Sequence, residues 1–315
     1  MLRPTIVGSL FFGAAGAVLA QVAAPQLGWI PDGGGIRPVY GMAAAAAVGP
    51  AVPSSQAFAH VAAPPSRNYV LVSAADTGIV SIYQPGKDLD ALDGAGIAPD
   101  SIVVSPRGAA AALWFSSINQ VQIVTGLPDA PVIRQLDVSF LAGAPAALAV
   151  TDDGAWVAGA WPAGAYAFGP QGDANRLPIE DGATVLAFFS ESHDLAIANA
   201  AGLQIVTGLG AFAIVSTLTP FADSSPPAVA VALTADNLTV LAVDRGGFIT
   251  AVRIGAGTGV TVDCACQPEG LFPMGPSSFR LTGLQDGAFK LFDAALGEVL
   301  FAPVALGPGA DGAGQ

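Results

Sequence analysis

Charge, histidine and cysteine are all scarce in this chain. Only 11% of its 315 residues are Asp, Glu, Lys or Arg, against roughly 25% in an ordinary soluble domain. The 11 Lys and Arg are outnumbered by 24 Asp and Glu, for a formal net charge of −13. Those few cations are spread singly, so phosphate backbones and anionic lipid surfaces are repelled, and nucleic acid is not expected as a partner. With two histidines there is no His pair at metal-ligand spacing; a GxSxG elbow and a glycine-rich phosphate loop before a helix are also missing. Beyond the N-terminus no uncharged apolar run reaches the ~20 residues that a helix needs to cross a bilayer, so no membrane span is expected in the mature chain. No convincing amphipathic helix appears either.

What is abundant is Ala and Val, cut into short runs by 39 Gly and 25 Pro, with 52% of residues hydrophobic. The first twenty residues, MLRPTIVGSLFFGAAGAVLA, form a separate unit. Arg3 precedes an apolar stretch from Ile6 to Ala20, and Val18 and Ala20 occupy the −3 and −1 positions of a cleavage point before Gln21. This is the pattern of a secretory signal peptide over residues 1–20, which predicts export to the periplasm or the extracellular space. An uncleaved anchor or a buried helix is the competing reading. No Cys lies near the cleavage point, so a lipoprotein anchor is not supported.

The hexapeptide QIVTGL occurs twice, at Gln122 to Leu127 and at Gln204 to Leu209, 82 residues apart. If 82 is two periods, a related segment belongs midway, and GAYAFGP is there from Gly164. Further single steps reach IVSIYQPG at Ile79, GFITAVRIG at Gly247 and GAFKLFDA at Gly287. Each segment is preceded by an apolar run, a small polar turn and a β-rich run, as in SIVVSPRG–AAALWF and AALAVTDDG–AWVAGAW, and a fourth run often follows. Four short strands per period of about 40 residues, joined by tight polar turns, mark an all-β β-propeller of four-stranded blades.

The turns SPRG, TDDG and TADN between an apolar strand and a β-branched strand resemble the YVTN and WD-repeat-like β-propellers that bacteria export. The resemblance spans roughly residues 54–304 and implies the fold; no residue role is carried over from it. Six repeats are countable, and the segment from Leu27 to Met42, LGWIPDGGGIRPVYGM, reads as a hairpin that helps close the ring, which would protect open edges. Seven blades are therefore predicted, with six as the alternative. A single propeller domain is expected over 21–306, followed by a flexible tail at 307–315, GPGADGAGQ.

The predicted inner strands, IVV, ALAV, VLAFF, VAVAL and LFPM, are nearly devoid of polar side chains. That is a core composition, not the polar channel of a propeller enzyme. His60 falls in an inner strand, and His193 lies beside Asp194 in the turn ESHD, where solvation outweighs proton transfer. Asp88, Asp90 and Asp93 depart from calcium-loop spacing and read as a polar connection. Cys264 and Cys266 allow three readings: a local disulfide, free or intermolecularly paired thiols, or a soft-metal site with Met274. No catalytic, cofactor or metal residue is assigned, and no cofactor is expected. The leading expectation is an exported non-catalytic scaffold that binds a protein or glycan partner. The alternative is a propeller enzyme, of the lactone hydrolase or quinone-dependent dehydrogenase type, with its site in channel-mouth loops. An outer-membrane barrel is disfavoured, because its strands need about 9 to 11 residues.

Overall fold

The computed structural model describes residues 25–304 apart from residues 66, 180–184, 211, 222–225 and 286. The expected signal peptide with its cleavage point, and the 307–315 tail, lie outside the described residues. Apart from one 3-10 turn at Ala43–Ala45, the regular structure is all strand, arranged as a seven-bladed propeller.

The first blade holds β1 (Gln26–Asp32), β2 (Gly35–Tyr40) and β3 (Ala47–Val48). The second holds β4 (Phe58–Ala62), β5 (Val70–Ala74), β6 (Val80–Tyr83) and β7 (Asp90–Ala91). In the third are β8 (Ser101–Val104), β9 (Ala110–Phe115), β10 (Gln120–Thr125) and β11 (Val132–Asp137). The fourth has β12 (Ala147–Val150), β13 (Val157–Trp161), β14 (Gly164–Phe168) and β15 (Ala174–Arg176). β16 (Val185–Phe188), β17 (Leu195–Asn199), β18 (Gly202–Thr207) and β19 (Ile214–Thr219) form the fifth. The sixth comprises β20 (Ala228–Leu233), β21 (Thr239–Asp244), β22 (Phe248–Arg253) and β23 (Gly259–Asp263). β24 (Phe272–Pro273), β25 (Ser278–Arg280), β26 (Ala288–Asp293) and β27 (Glu298–Pro303) complete the seventh. Each blade is an antiparallel meander in sequence order.

Both copies of QIVTGL fall in the same place, the third strand of the third and fifth blades, and run into the turn to the outermost strand. The turn needs the glycine: Gly126 and Gly208 have φ of +76° and +63°, a region that costs residues with a Cβ. Strands are short because such turns punctuate them. The second strands β5, β9, β13 and β17 are buried along their whole length, because a neighbouring blade covers each face; this is why they read as continuous apolar runs. Each of the seven blade-to-blade interfaces holds its own cluster of buried apolar side chains. Of the inner-strand residues, Phe188, Val231 and Leu148 are buried, while Val103 is only partly so.

The hairpin read from Leu27 to Met42 is β1 and β2, and it completes the ring. Ile30, Val39 and Val48 pack against Met274, Phe289 and Leu291 of the seventh blade, and Val48 bridges Val304 in parallel. On its other side Trp29 and Ile36 meet Phe58, Val70 and Val72 of the second blade. β1 takes the second position in its blade. The β1–β2 turn lies at the start of β4, where the Phe58 N–H donates to the Gly34 carbonyl, just as Ala98 ahead of β8 donates to Gly78 in the turn between β5's partner β6 and β5 itself. Among the described residues the innermost position of the first blade is unfilled.

Candidate functional site

The innermost strands β4, β8, β12, β16, β20 and β24, with Trp29 and Pro31 of β1, surround a central cavity of about 830 Å³. Ile102, Leu148, Leu186, Phe188 and Leu233 are among the lining side chains. Among the described lining residues, the strands contribute one charged group, Arg280 of β25. Its guanidinium donates to the Thr282 carbonyl (3.0 Å) and to Glu269 Oε2 (3.5 Å), and lies 3.9 Å over the Phe272 ring. Burial pulls its pKa down to about 10, and the neighbouring Glu269 carboxylate opposes that pull. The cation is therefore held mainly by hydrogen bonds and a ring face.

One mouth of the cavity is rimmed by the turns that join first to second strands, and these turns bond across blades. Tyr69 Oη donates to the Gly108 carbonyl (2.7 Å) and Arg67 Nε to that of Arg107 (2.9 Å), tying the second blade to the third. The Asp152 carboxylate of the fourth blade accepts from Arg107 N–H (2.7 Å) on one side and Glu191 N–H (2.8 Å) on the other. The Arg107 and Glu191 side chains also pair directly, so three blades meet at one carboxylate and one ion pair. Asn237 of the sixth blade binds both the N–H (2.9 Å) and the carbonyl (2.8 Å) of Ser190, and Ala235 N–H donates to the Pro276 carbonyl of the seventh (2.8 Å).

Within the turns, hydroxyls and carboxylates brace the backbone. Thr151 and Thr234 donate to Asp153 and Asp236 two residues on (2.6 Å each) and accept the N–H groups of Trp156 and Thr239 (3.0 Å each). The Thr234 hydroxyl, then the Leu238 N–H, holds the Asp236 carboxyl below its ordinary value. Partial burial pulls Asp153 upward, but donors from Thr151, Ala155 and His193 leave it below its usual range. The turn residues Ser, Thr and Asp recur along the sequence because each closes the same local loop.

The sequence candidates are dispersed over this frame. His60 sits half-buried in β4, and His193 lies three blades away in the turn after β16. His193 does not pair with Asp194: its Nε2 is 2.9 Å from Asp153 Oδ2 of the preceding blade, and the Asp194 N–H donates to Ser192 Oγ instead. Asp88, Asp90 and Asp93 are exposed at the outer edge of the second blade. Among the described residues no group of three or more His, Cys, Asp or Glu is arranged to hold a metal. Cys264 and Cys266, after β23, are joined by a disulfide with Cα atoms 5.2 Å apart. The Lys290 ammonium caps that turn by donating to the Cys264 and Ala265 carbonyls (3.0 and 2.7 Å). Met274 belongs to the core between the seventh and first blades, and Cys264 to that between the sixth and seventh.

Sequence reasoning missed Arg280, Asp152 and Asp153. Arg280 had a local signal, a lone charge inside the β-rich run FRLTGL; the two aspartates read only as the turn TDDG, because the groups they join across blades, Arg107, Glu191 and His193, lie about 40 residues away. No protein-family model matches the chain, and no curated protein matches it significantly. No helix among the described residues is long and apolar enough to cross a membrane.

Proposed function

We propose that this protein is an exported, non-catalytic β-propeller that serves as a binding scaffold for a protein or glycan, akin to the YVTN and WD-repeat-like propellers that bacteria export. The observation that carries this reading is the bonded rim. Arg67, Arg107, Glu191, Asp236 and Asn237 line one end of the central cavity, and the bonds between their turns fix those groups relative to one another before any ligand arrives. Such preorganisation favours recognition, because less ordering entropy is lost on binding. The carboxylate of Asp152 is already occupied by backbone donors, which suits a structural tie better than a proton carrier.

The same rim favours a second reading. Arg107, Asp152, Asp153, Glu191 and His193 gather near one mouth, the arrangement that a propeller lactone hydrolase or quinone-dependent dehydrogenase would need. Calorimetric titration of the protein with glycans and with extracellular proteins of its host separates the two. A scaffold binds one of them, loses that binding in Arg107→Glu, and keeps its fold. Lactone hydrolysis or quinone-coupled oxidation that vanishes in His193→Ala would replace the scaffold with an enzyme. Export is tested by mass spectrometry of protein from the native host, with a start at Gln21 expected and an intact Met1 contradicting it.

A further inference from the structure

Arg280 puts a cation where the neighbouring pattern is apolar. It is 5% exposed, and in the register it stands opposite Phe272 of β24 and Leu291 of β26. A buried charge is costly unless its hydrogen bonds are met. The bonds of this guanidinium to the Thr282 carbonyl and to Glu269 Oε2 both leave from Nη1, and the Phe272 ring covers one face. Among the described residues Nε and Nη2 have no partner. Those two groups point in parallel from one edge of the guanidinium plane, the fork that receives both oxygens of a carboxylate.

Arg280 also lines the central cavity, whose volume of about 830 Å³ suits a small organic molecule. The chain as a whole is acidic, with 24 Asp and Glu to 11 Lys and Arg. Its described cavity lining inverts that balance, with Arg67, Arg107 and Arg280 against Glu191 and Asp236. Arg107 is already paired with Glu191. Arg280 stands apart from the rim: the turn after β24 reaches the rim through the Pro276 carbonyl, whereas Phe272 and Arg280 pair at the end of β24 and β25 away from that turn. One free fork, with the Glu269 carboxylate close by to repel a second negative charge, fits a monoanion better than a phosphate dianion. We infer that the central cavity binds an organic monocarboxylate, its two oxygens on Nε and Nη2 of Arg280 and its apolar body against inner-strand side chains that include Ile102, Leu148 and Leu186. The inference does not rest on what the rim binds.

Calorimetric titration of the unaltered protein with octanoate and with phenylacetate, each beside its primary amide, tests this. At least one acid is expected to bind at one site per chain, and its amide at least ~10-fold more weakly, because the amide cannot form the charge-assisted pair. Followed by nuclear magnetic resonance, the Arg280 Nε–H signal should shift with the acid and not with the amide. Arg280→Met should lose at least ~10-fold in affinity, and Arg280→Lys, which keeps the charge but not the fork, should recover only part of it. Binding of neither acid, amides that bind as well as the acids, an unmoved Nε–H signal, or full affinity in Arg280→Met overturns the assignment. The first three readouts need no variant, so they decide the matter even where Arg280→Met does not fold.

Discussion

Between the fourth and fifth blades, Leu186, Phe188 and Ile197 pack against Ala158, Ala160 and Ala167, and over that core Asp152 and Asp153 reach Glu191 and His193 in the next turn. The seam between the seventh and first blades has an equally apolar core, Ile30, Val39, Met274, Phe289 and Leu291. Across it run one strand bridge, Val48 to Val304, and a second cavity of about 630 Å³ between Leu27, Met42 and Pro276. Among the described residues no strand is shared by the two blades. Burial supplies the stability of both interfaces, but among the described residues the hydrogen bonds at the mouth run only from the second blade to the seventh. Those six blades thus form a fixed platform, and the first blade is where opening costs less.

Four substitutions sharpen that contrast. The largest effect is expected for Phe188→Ala, about 3 to 5 kcal/mol in chemical denaturation, from lost burial and the cavity left in the fourth-to-fifth interface. Ile30→Ala removes a fully buried seam side chain. Its cost is expected to be about 2 to 4 kcal/mol, appearing in hydrogen exchange as faster opening of β1, β2 and β27 with β13 and β17 little changed.

Smaller effects belong to the mouth. Asp236→Asn is expected to cost less than about 1 kcal/mol at neutral pH, since the Asp236 side is exposed and an amide oxygen can still accept from Thr234. Because the folded carboxyl titrates below its ordinary value, its contribution is present above the unfolded value and is lost as pH falls through the folded one. The difference between parent and variant should therefore shrink in acid, and a difference that grew there would mean Asp236 is held some other way. His193→Ala, at a half-exposed pair with Asp153, should move the midpoint by about 0.5 kcal/mol or less.

The contrast between platform and seam also marks what could be read from the sequence. The repeat was legible because glycine and aspartate turns recur at one period and the buried second strands are unbroken apolar runs. AAALWF and VAGAW announce themselves without knowledge of neighbours. The hairpin at Leu27 to Met42 was legible as a hairpin, but its place as second and third strands was not: tight turns join many strand pairs, and only the Gly34 to Phe58 bond fixes which pair this is. The short outer strand Ala174–Arg176 escaped notice because an exposed edge imposes no apolar pattern. At the mouth, the sequence offered Asp194 as the partner of His193, the neighbour in the chain; the partner is Asp153, 40 residues away. Ring closure, not local pattern, makes that pair.

Native-state hydrogen exchange on the unmodified protein tests most directly whether this ring is a platform closed at one seam. Amides of β9, β13 and β17 should exchange only through global unfolding, while those of β2 and β27 open at a lower free energy and respond first to small additions of denaturant. Uniform protection around all seven blades would contradict the account.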